Sequence, residues 1–271
     1  MRGGYFVKTK YSDELFKGTA WYYARYRPIY PATLVRYLID KFNLDGKGQM
    51  LDLGCGTGQL ALRFADWFES IVGIDTEPEM IQEAKRLVKE LRTDNLEWFN
   101  GELNSYRKIF EGSFRLVTIA KAFHWMDREE VLETLYEMIS NGGGVAIIDN
   151  YSPNKELLPW QKKLNEVVKQ WYGKERRAGN TTYSHPKVSY QEIISNSKFD
   201  LDMHEIPTYE QNWTVESIIG NLYSTSYGSK RFLGDSVRMF EQHLKEELLN
   251  VNGDGVFKEQ INISIKLAIK K

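Results

Sequence analysis

Apolar positions recur along this chain in two alternating rhythms. Met50, Leu51 and Leu53 form a short buried-strand run that glycines at 54, 56 and 58 cut off, and Ala61, Phe64, Ala65 and Phe68 then follow at helical spacing. Ser70-Ile71-Val72-Gly73-Ile74-Asp75 reads as a second buried strand. A helix through Met80, Ile81, Ala84, Leu87, Val88 and Leu91 comes next, opened by Thr76-Glu77-Pro78-Glu79 as a capping box with proline in its first turn. Leu96-Glu97-Trp98-Phe99-Asn100 predicts a third strand, and residues 114–120 a fourth, apolar almost throughout as parallel strands buried on both faces are. Asp127 to Glu130 caps a helix whose buried face is Val131, Leu132, Leu135, Met138 and Ile139; Asn141-Gly142-Gly143-Gly144 stops it, and residues 145–149 form strand five. Ahead of the first strand, Pro31 opens a helix through Leu34, Val35, Leu38 and Phe42, and Asp45-Gly46-Lys47-Gly48 turns into the sheet. Strand and helix thus alternate over residues 31–149, which predicts a βαβ domain with a parallel sheet.

Past Asp149 the rhythm changes. Leu157, Trp160, Leu164, Val167, Val168 and Trp171 mark an amphipathic helix, a polar stretch covers 173–187, and a short capped helix (Ser189 to Ser195) leads to a strand running through Met203, Glu205 and Pro207 to Trp213. Two helices fill 214–250, the second burying Val237, Phe240, Leu244 and Leu248. Ile261, Ile263, Ile265, Leu267 and Ile269 alternate with polar residues up to Lys266, the pattern of a half-exposed antiparallel edge strand. The chain divides into an N-terminal lid segment (1–30), an α/β core (31–150), and a helical insert with C-terminal antiparallel strands that complete the sheet (151–271).

Composition narrows the function. A formal net charge of −1 over 271 residues supplies no basic surface for nucleic acid. The single cysteine, Cys55, sits inside the glycine turn, so a disulfide framework is excluded, and it reads as a small residue fitting that turn. His124, His185, His204 and His243 lack ligand spacing, so no metal is expected. No stretch approaches the ~18 apolar residues of a membrane span and Met1 to Lys10 lacks a leader's apolar run, which makes the cytoplasm the expected compartment, with no membrane partner.

The chemistry centres on the glycine turn. Glycines at 54, 56 and 58 let a ligand approach the backbone, and Asp75, at the end of the second strand, can accept both hydroxyls of a ribose. A dinucleotide site uses the same parts. Its G-x-G-x-x-G fingerprint, however, wants glycine where Gln59 stands, and Asp52 would repel a pyrophosphate while suiting a cationic ligand. The string Asp52-x-Gly54-x-Gly56-x-Gly58 resembles motif I of the class I S-adenosylmethionine-dependent methyltransferases. The resemblance is specific over residues 21–149. It implies an α/β fold with a seven-stranded, mostly parallel doubly wound sheet whose last strand inserts antiparallel, and a helical insert (157–196 and 214–250) that covers the substrate. S-adenosyl-L-methionine is the implied cofactor.

Carried over onto this chain, the resemblance assigns Asp52, Gly54, Cys55, Gly56 and Gly58 to the amino-acid end of the cofactor and Asp75 with Thr76 to its ribose. Met80 falls where the adenine would lie, or simply packs its helix. Gly101-Glu102-Leu103-Asn104 stands where relatives carry G-D-A-E, giving Glu102 and the Leu103 amide to the adenine. Ala120 ends strand four at the same rim. The aromatic, arginine-rich Trp21 to Pro31 segment resembles the Y-A-x-Y-R-P-x-Y-P stretch ahead of motif I in one subgroup, which turns Tyr22 and Arg25 toward the cofactor and Tyr26 toward the substrate; packing on the domain edge is the plainer reading of its tyrosines.

Ala120-Lys121-Ala122-Phe123-His124-Trp125-Met126-Asp127 is similar to the small-molecule subgroup that includes trans-aconitate methyltransferase-like proteins. His124 is the candidate catalytic base, with substrate hydrogen bonding or packing against Trp125 as its other readings. Trp125, Arg176 (with Arg177) and Tyr223 are the candidate substrate contacts. The expected reaction is methyl transfer to a small molecule at oxygen, a carboxylate included. A cofactor-binding protein without catalysis and a NAD-binding oxidoreductase are the alternatives.

Overall fold

Residues 49–53 form β1 (Gln49–Leu53), and its side chains explain why the run is apolar on both faces: Met50 points into one core layer and Leu51 and Leu53 into the other. The computed structural model describes residues 14–151, 155–178, 181–183 and 187–271. Before β1 come α1 (Ala20–Tyr26) and α2 (Ala32–Lys41). After it follow β2 (Ser70–Asp75), α3 (Pro78–Leu91), β3 (Leu96–Asn100), α4 (Leu103–Arg107), β4 (Phe114–Ala120), α5 (Arg128–Met138) and β5 (Ile139–Asp149). The second half adds α6 (Pro159–Tyr172), the short hairpin β6 (Arg177–Ala178) and β7 (Thr181–Thr182), α7 (Tyr190–Ser195), β8 (Asp200–Thr214), α8 (Val215–Tyr223), α9 (Val237–Val251) and β9 (Val256–Ile269).

One seven-stranded sheet runs in the order β3-β2-β1-β4-β5-β9-β8, its first five strands parallel and β9 antiparallel to both neighbours. The α/β expectation is met, including the antiparallel insertion. The order reverses between β2-β1 and β4, so the carboxyl ends of β1 and β4 flank the crevice where open α/β sheets bind ligands. Leu34, Leu38, Phe64, Leu116, Ile263 and Ile265 fill one face of the sheet, while Val117, Ile119, Leu135 and Ile194 fill the other. A third cluster, with Trp160, Tyr172, Trp213, Leu222, Phe240 and Leu244, joins α6, α8 and α9 to the ends of β8 and β9.

Four local expectations are corrected. The segment after the glycine turn is a 3₁₀ helix (Ala61–Trp67), wound tightly enough that the Arg63 N–H donates to the Leu60 carbonyl at 3.0 Å. Residues 141–144 do not stop a helix. They form a bulge early in β5, with Gly142 at φ +77° and the Gly143 and Gly144 backbones approaching Arg115 O and Ala268 O so closely that an added Cβ would lie 2.7 Å away. β9 is internal, and β8 is the edge. The isoleucine face of β9 lies against the α2 side of the sheet, which accounts for its alternation without an open edge.

Helix α3 is capped one residue later than expected, by Glu77, whose side chain accepts from the Glu79 N–H at 3.4 Å.

Candidate functional site

The turn after β1 is tied to the end of β2. Gly54 N–H and Cys55 N–H both donate to the Ile74 carbonyl (2.8 and 3.0 Å), and Gly56 N–H donates to the Asp75 carboxylate at 2.8 Å. Gly54 adopts φ +71°, and a Cβ there would meet the Ala122 Cβ at 2.5 Å, so glycine is required both by the backbone and by the approach of the β4 loop. The other oxygen of Asp75 accepts from Glu77 N–H at 2.9 Å. Burial raises its pKa against these backbone donors.

Asp52 is 2% exposed and accepts from the Thr118 hydroxyl at 2.7 Å. Burial pushes its carboxyl up to about 6, against the hydrogen bonds from Thr118 and the Ala61 backbone. A folded-state pKa above the unfolded value of about 3.9 means the native protein holds a proton that the unfolded chain has lost, so this contribution to stability is present below about pH 4 and is lost as pH rises to about 6. In the protein without ligand, lowering the pH from 7 to 5 should therefore stabilise the wild type by about 1 kcal/mol more than Asp52→Asn. Urea denaturation of both proteins at the two pH values checks this, and equal pH responses would contradict it.

Two cavities meet at this rim. A narrow one of about 20 Å³ is lined by Tyr23, Arg27, Pro28, Tyr30, Asp52, Gly54, Cys55, Gln59, Leu60, Ala120 and Lys121. A larger one of about 520 Å³ opens beneath the insert. Its wall includes His124, Trp125, Arg176, Tyr183, Tyr190 and Tyr227. Arg27, Pro28 and Lys121 belong to both. Residues 23–28 bend over the glycine turn, where Tyr23 faces Gly56 and the Gln59 side-chain amide donates to the Ala24 carbonyl at 3.0 Å. Arg27 lies over the Tyr23 ring and donates to the Ser224 carbonyl at 3.1 Å, while its buried Nε has no hydrogen-bond partner. The large cavity's Glu259 is already engaged: one oxygen accepts from Lys155 and Gln161 (2.7 and 2.9 Å), the other from Trp213 Nε1 (3.0 Å).

Of the residues expected at the cofactor, Asp52, Gly54, Cys55 and Ala120 line the narrow cavity, and Asp75 is bonded to Gly56 beside it. The Cys55 thiol is buried and its pKa is driven far upward, which suits a turn residue. Gly58 lies under the Trp98 ring, Thr76 is exposed, Met80 is buried under α3, Glu102 is exposed ahead of α4, and Leu103 is buried in the second core layer. None of these last five lines either cavity. Tyr22 and Arg25 sit elsewhere than expected. α1 is helical, so Tyr22 and Tyr26 share one face and pack toward α8, where Tyr22 meets Tyr223 at 5.2 Å and the Tyr26 hydroxyl donates to Glu216 at 2.8 Å. Arg25 pairs with Glu83 at 3.2 Å. Tyr23 and Arg27, on the adjoining face, take the place over the glycine turn.

Among the expected substrate contacts, Trp125 and Arg176 line the large cavity, with Arg176 held between the Tyr183 and Tyr227 rings (4.7 and 4.6 Å). Arg177 lies over Phe232. Tyr223 is 1% exposed, buried against Phe240 with its hydroxyl donating to Glu241 at 3.0 Å, and is a core residue of the insert; Tyr26 is half-buried at the α1–α8 contact, where its ring covers Gly220. His124 lines the large cavity with its ring 4.4 Å from Trp125. His185 lies outside the described residues. No group of three or more metal-ligating side chains occurs, and no helix is long and apolar enough to cross a membrane, among the described residues.

Lys121, Arg27, Tyr23 and Gln59 were not anticipated. The periodicity of α1 contained the signal for two of them, since residues 23 and 27 lie one helical turn apart.

Residues 50–143 match the model of a methyltransferase domain family. Over that span the chain is similar to the class I S-adenosylmethionine-dependent methyltransferases. S-adenosylmethionine is the cofactor of that family, and glycines against an open backbone with two carboxylates beside them fit a polar, cationic nucleoside. A probable S-adenosylmethionine-dependent methyltransferase of Saccharomyces cerevisiae is 27% identical over 62% of this chain and 56% of its own length. A putative methyltransferase of Dictyostelium discoideum is 26% identical over 76% of this chain and 78% of its own. The chain spans little more than half the length of the yeast relatives it matches. In fold it is similar to the YcgJ protein of Bacillus subtilis, with a TM-score of 0.55, 16% identity, and 89% of this chain and 99% of that one covered.

Proposed function

We propose that this protein transfers a methyl group from S-adenosylmethionine to an oxygen of a small acidic molecule held in the large cavity. The observation that carries the reading is the shared wall: Arg27, Pro28 and Lys121 line both the narrow cavity at the glycine turn and the large cavity under the insert. Donor and acceptor pockets that meet at one rim supply the alignment such a transfer needs.

When bound, S-adenosylmethionine supplies an electrophilic methyl on a sulfonium. The chain's part is to hold, orient and exclude water. Asp75 has lone pairs left beyond its two backbone donors for ribose hydroxyls, and Asp52 provides a carboxylate for the cationic amino-acid end. Aromatic walls, with Trp125, Tyr183, Tyr190 and Tyr227 among them, keep the acceptor pocket dry. Its volume of about 520 Å³ suits a small molecule, and the net charge of −1 argues against a nucleic acid.

Charge favours oxygen over an amine acceptor. Glu259 is neutralised by Lys155, which leaves Arg27, Lys121 and Arg176 against Asp149. His124 stands on the same wall, where its imidazole takes the proton of a hydroxyl acceptor; a carboxylate needs no base.

The test is transfer of tritiated methyl from S-adenosylmethionine to a panel of small carboxylic acids, phenols and amines, with RNA as a control. Label is expected on acids or phenols. With a phenol, His124→Ala should lower kcat at least about tenfold, within the usual range for loss of a general base, while S-adenosylhomocysteine affinity is unchanged. Label on amines or RNA alone would overturn the reading.

A further inference from the structure

The carboxyl end of β4 carries an unusual residue. Lys121 adopts φ +55°, a left-handed conformation uncommon outside glycine, and is held there by its N–H donating to the Ile148 carbonyl at 2.9 Å. Lys121 lines the narrow and the large cavity at once. No hydrogen bond or ion pair engages its Nζ among the described residues, and the neighbouring acids have partners of their own. Glu259 is bound by Lys155, Gln161 and Trp213; Asp149 accepts from the Tyr151 N–H at 2.9 Å; Asp52 accepts from Thr118.

We propose that Lys121 is the residue that selects an anionic acceptor, its ammonium receiving the carboxylate of the small acid at the seam where the two cavities meet. This rests on the methyltransferase reading above. The groups facing this seam are Arg27 after α1, Asp149 at the end of β5, Glu259 on β9 and Lys155 before α6. Tyr23, Tyr30 and Asp52 face it from the narrow cavity, and His124, Arg176 and Tyr190 from the large one.

Arg27 and Lys121 outnumber Asp149 at this seam, Glu259 being paired with Lys155, so a bound carboxylate balances the remaining positive charge. Burial, then the Arg27 guanidinium, lowers the Lys121 ammonium to about 8 against the pull of Asp149 and Glu259. A carboxylate that binds the protonated form pulls that value back up, so its affinity is full below about pH 8 and falls as the pH rises through it. An uncharged or cationic acceptor gains nothing from this residue. The unpartnered Arg27 Nε supplies a second donor at the same seam.

The experiment titrates benzoate, chosen as a small planar carboxylate, into the S-adenosylhomocysteine complex between about pH 7 and 9.5, for the wild type, Lys121→Met and Lys121→Arg. Wild-type affinity is expected to fall across that range. Lys121→Met should bind benzoate about tenfold or more weakly at pH 7, the size of one lost charge-assisted hydrogen bond, and show no fall with pH. Lys121→Arg should bind well and stay flat with pH, a readout that stands even if the methionine variant does not fold. S-adenosylhomocysteine affinity should stay within about twofold in each variant.

Unchanged benzoate binding in Lys121→Met overturns the proposal, as does a wild-type complex that binds no benzoate. A parallel loss of S-adenosylhomocysteine also overturns it, because the ammonium would then serve the cofactor's own carboxylate. Failure of the wild type to bind S-adenosylhomocysteine at all is a different result and removes the methyltransferase reading itself.

Discussion

Gly58→Ala is expected to destabilise the unliganded protein by about 3 kcal/mol and to lower its Tm by roughly 5–10 °C. Gly58 has φ +77°, and an added Cβ would lie 2.2 Å from Cη2 of Trp98. The indole cannot retreat toward its own sheet, because Gly73 leaves it the same narrow clearance there, with a Cβ position 2.2 Å from Cζ3. The new methyl therefore adds steric overlap to left-handed strain, each of which costs about 1–3 kcal/mol. Gly234→Ala separates the two effects: φ is +52° there, with nothing within 4 Å of an added Cβ, so only the strain remains. Thermal denaturation of the two variants reads the difference. Equal losses would show that the Trp98 contact does not constrain the turn.

Asp75→Ala is expected to weaken S-adenosylhomocysteine binding about 100-fold. Its carboxylate is assigned two ribose hydrogen bonds, each charge-assisted and worth about 1.5–3 kcal/mol, and tenfold in affinity corresponds to about 1.4 kcal/mol. The substitution also frees the Gly56 N–H that the carboxylate holds at 2.8 Å, loosening the turn that cradles the ligand. Asp75→Asn keeps one carbonyl oxygen and should fall between the two. Calorimetric titration of the three proteins checks the order. An Asp75→Ala protein with wild-type affinity would remove Asp75 from the site.

The parts of the site that could be read from the amino-acid sequence are those dictated by the backbone. Glycines 54, 56 and 58, the buried runs on either side and the acid ending β2 imply strand, turn and crevice because few other conformations accommodate them, and Asp52, Cys55 and Ala120 line the narrow cavity accordingly. Side chains delivered by distant segments were harder. Tyr22 and Arg25 were expected at the cofactor, but α1 turns Tyr23 and Arg27 rather than these two to the narrow cavity, since one residue rotates a helical side chain by about 100°. Tyr223 was expected as a cavity lining and belongs to the insert's own core, because α8 packs on both α1 and α9. β9 looked like an edge strand by its alternation, which reflects the isoleucine layer it contributes to one side of the sheet; nothing local in its sequence reveals that β8 lies outside it. Lys121 was visible only as one residue of a motif. Its place at the seam of two cavities depends on where residues 27, 149 and 259 converge.

The measurement that tests the central claim most directly is a calorimetric titration of the wild-type protein with S-adenosylhomocysteine, with NADH in parallel. The glycine turn, Asp52 and Asp75 predict binding of S-adenosylhomocysteine at micromolar affinity, about −8 kcal/mol, and none of NADH. Binding of NADH alone, or of neither ligand, would contradict the account.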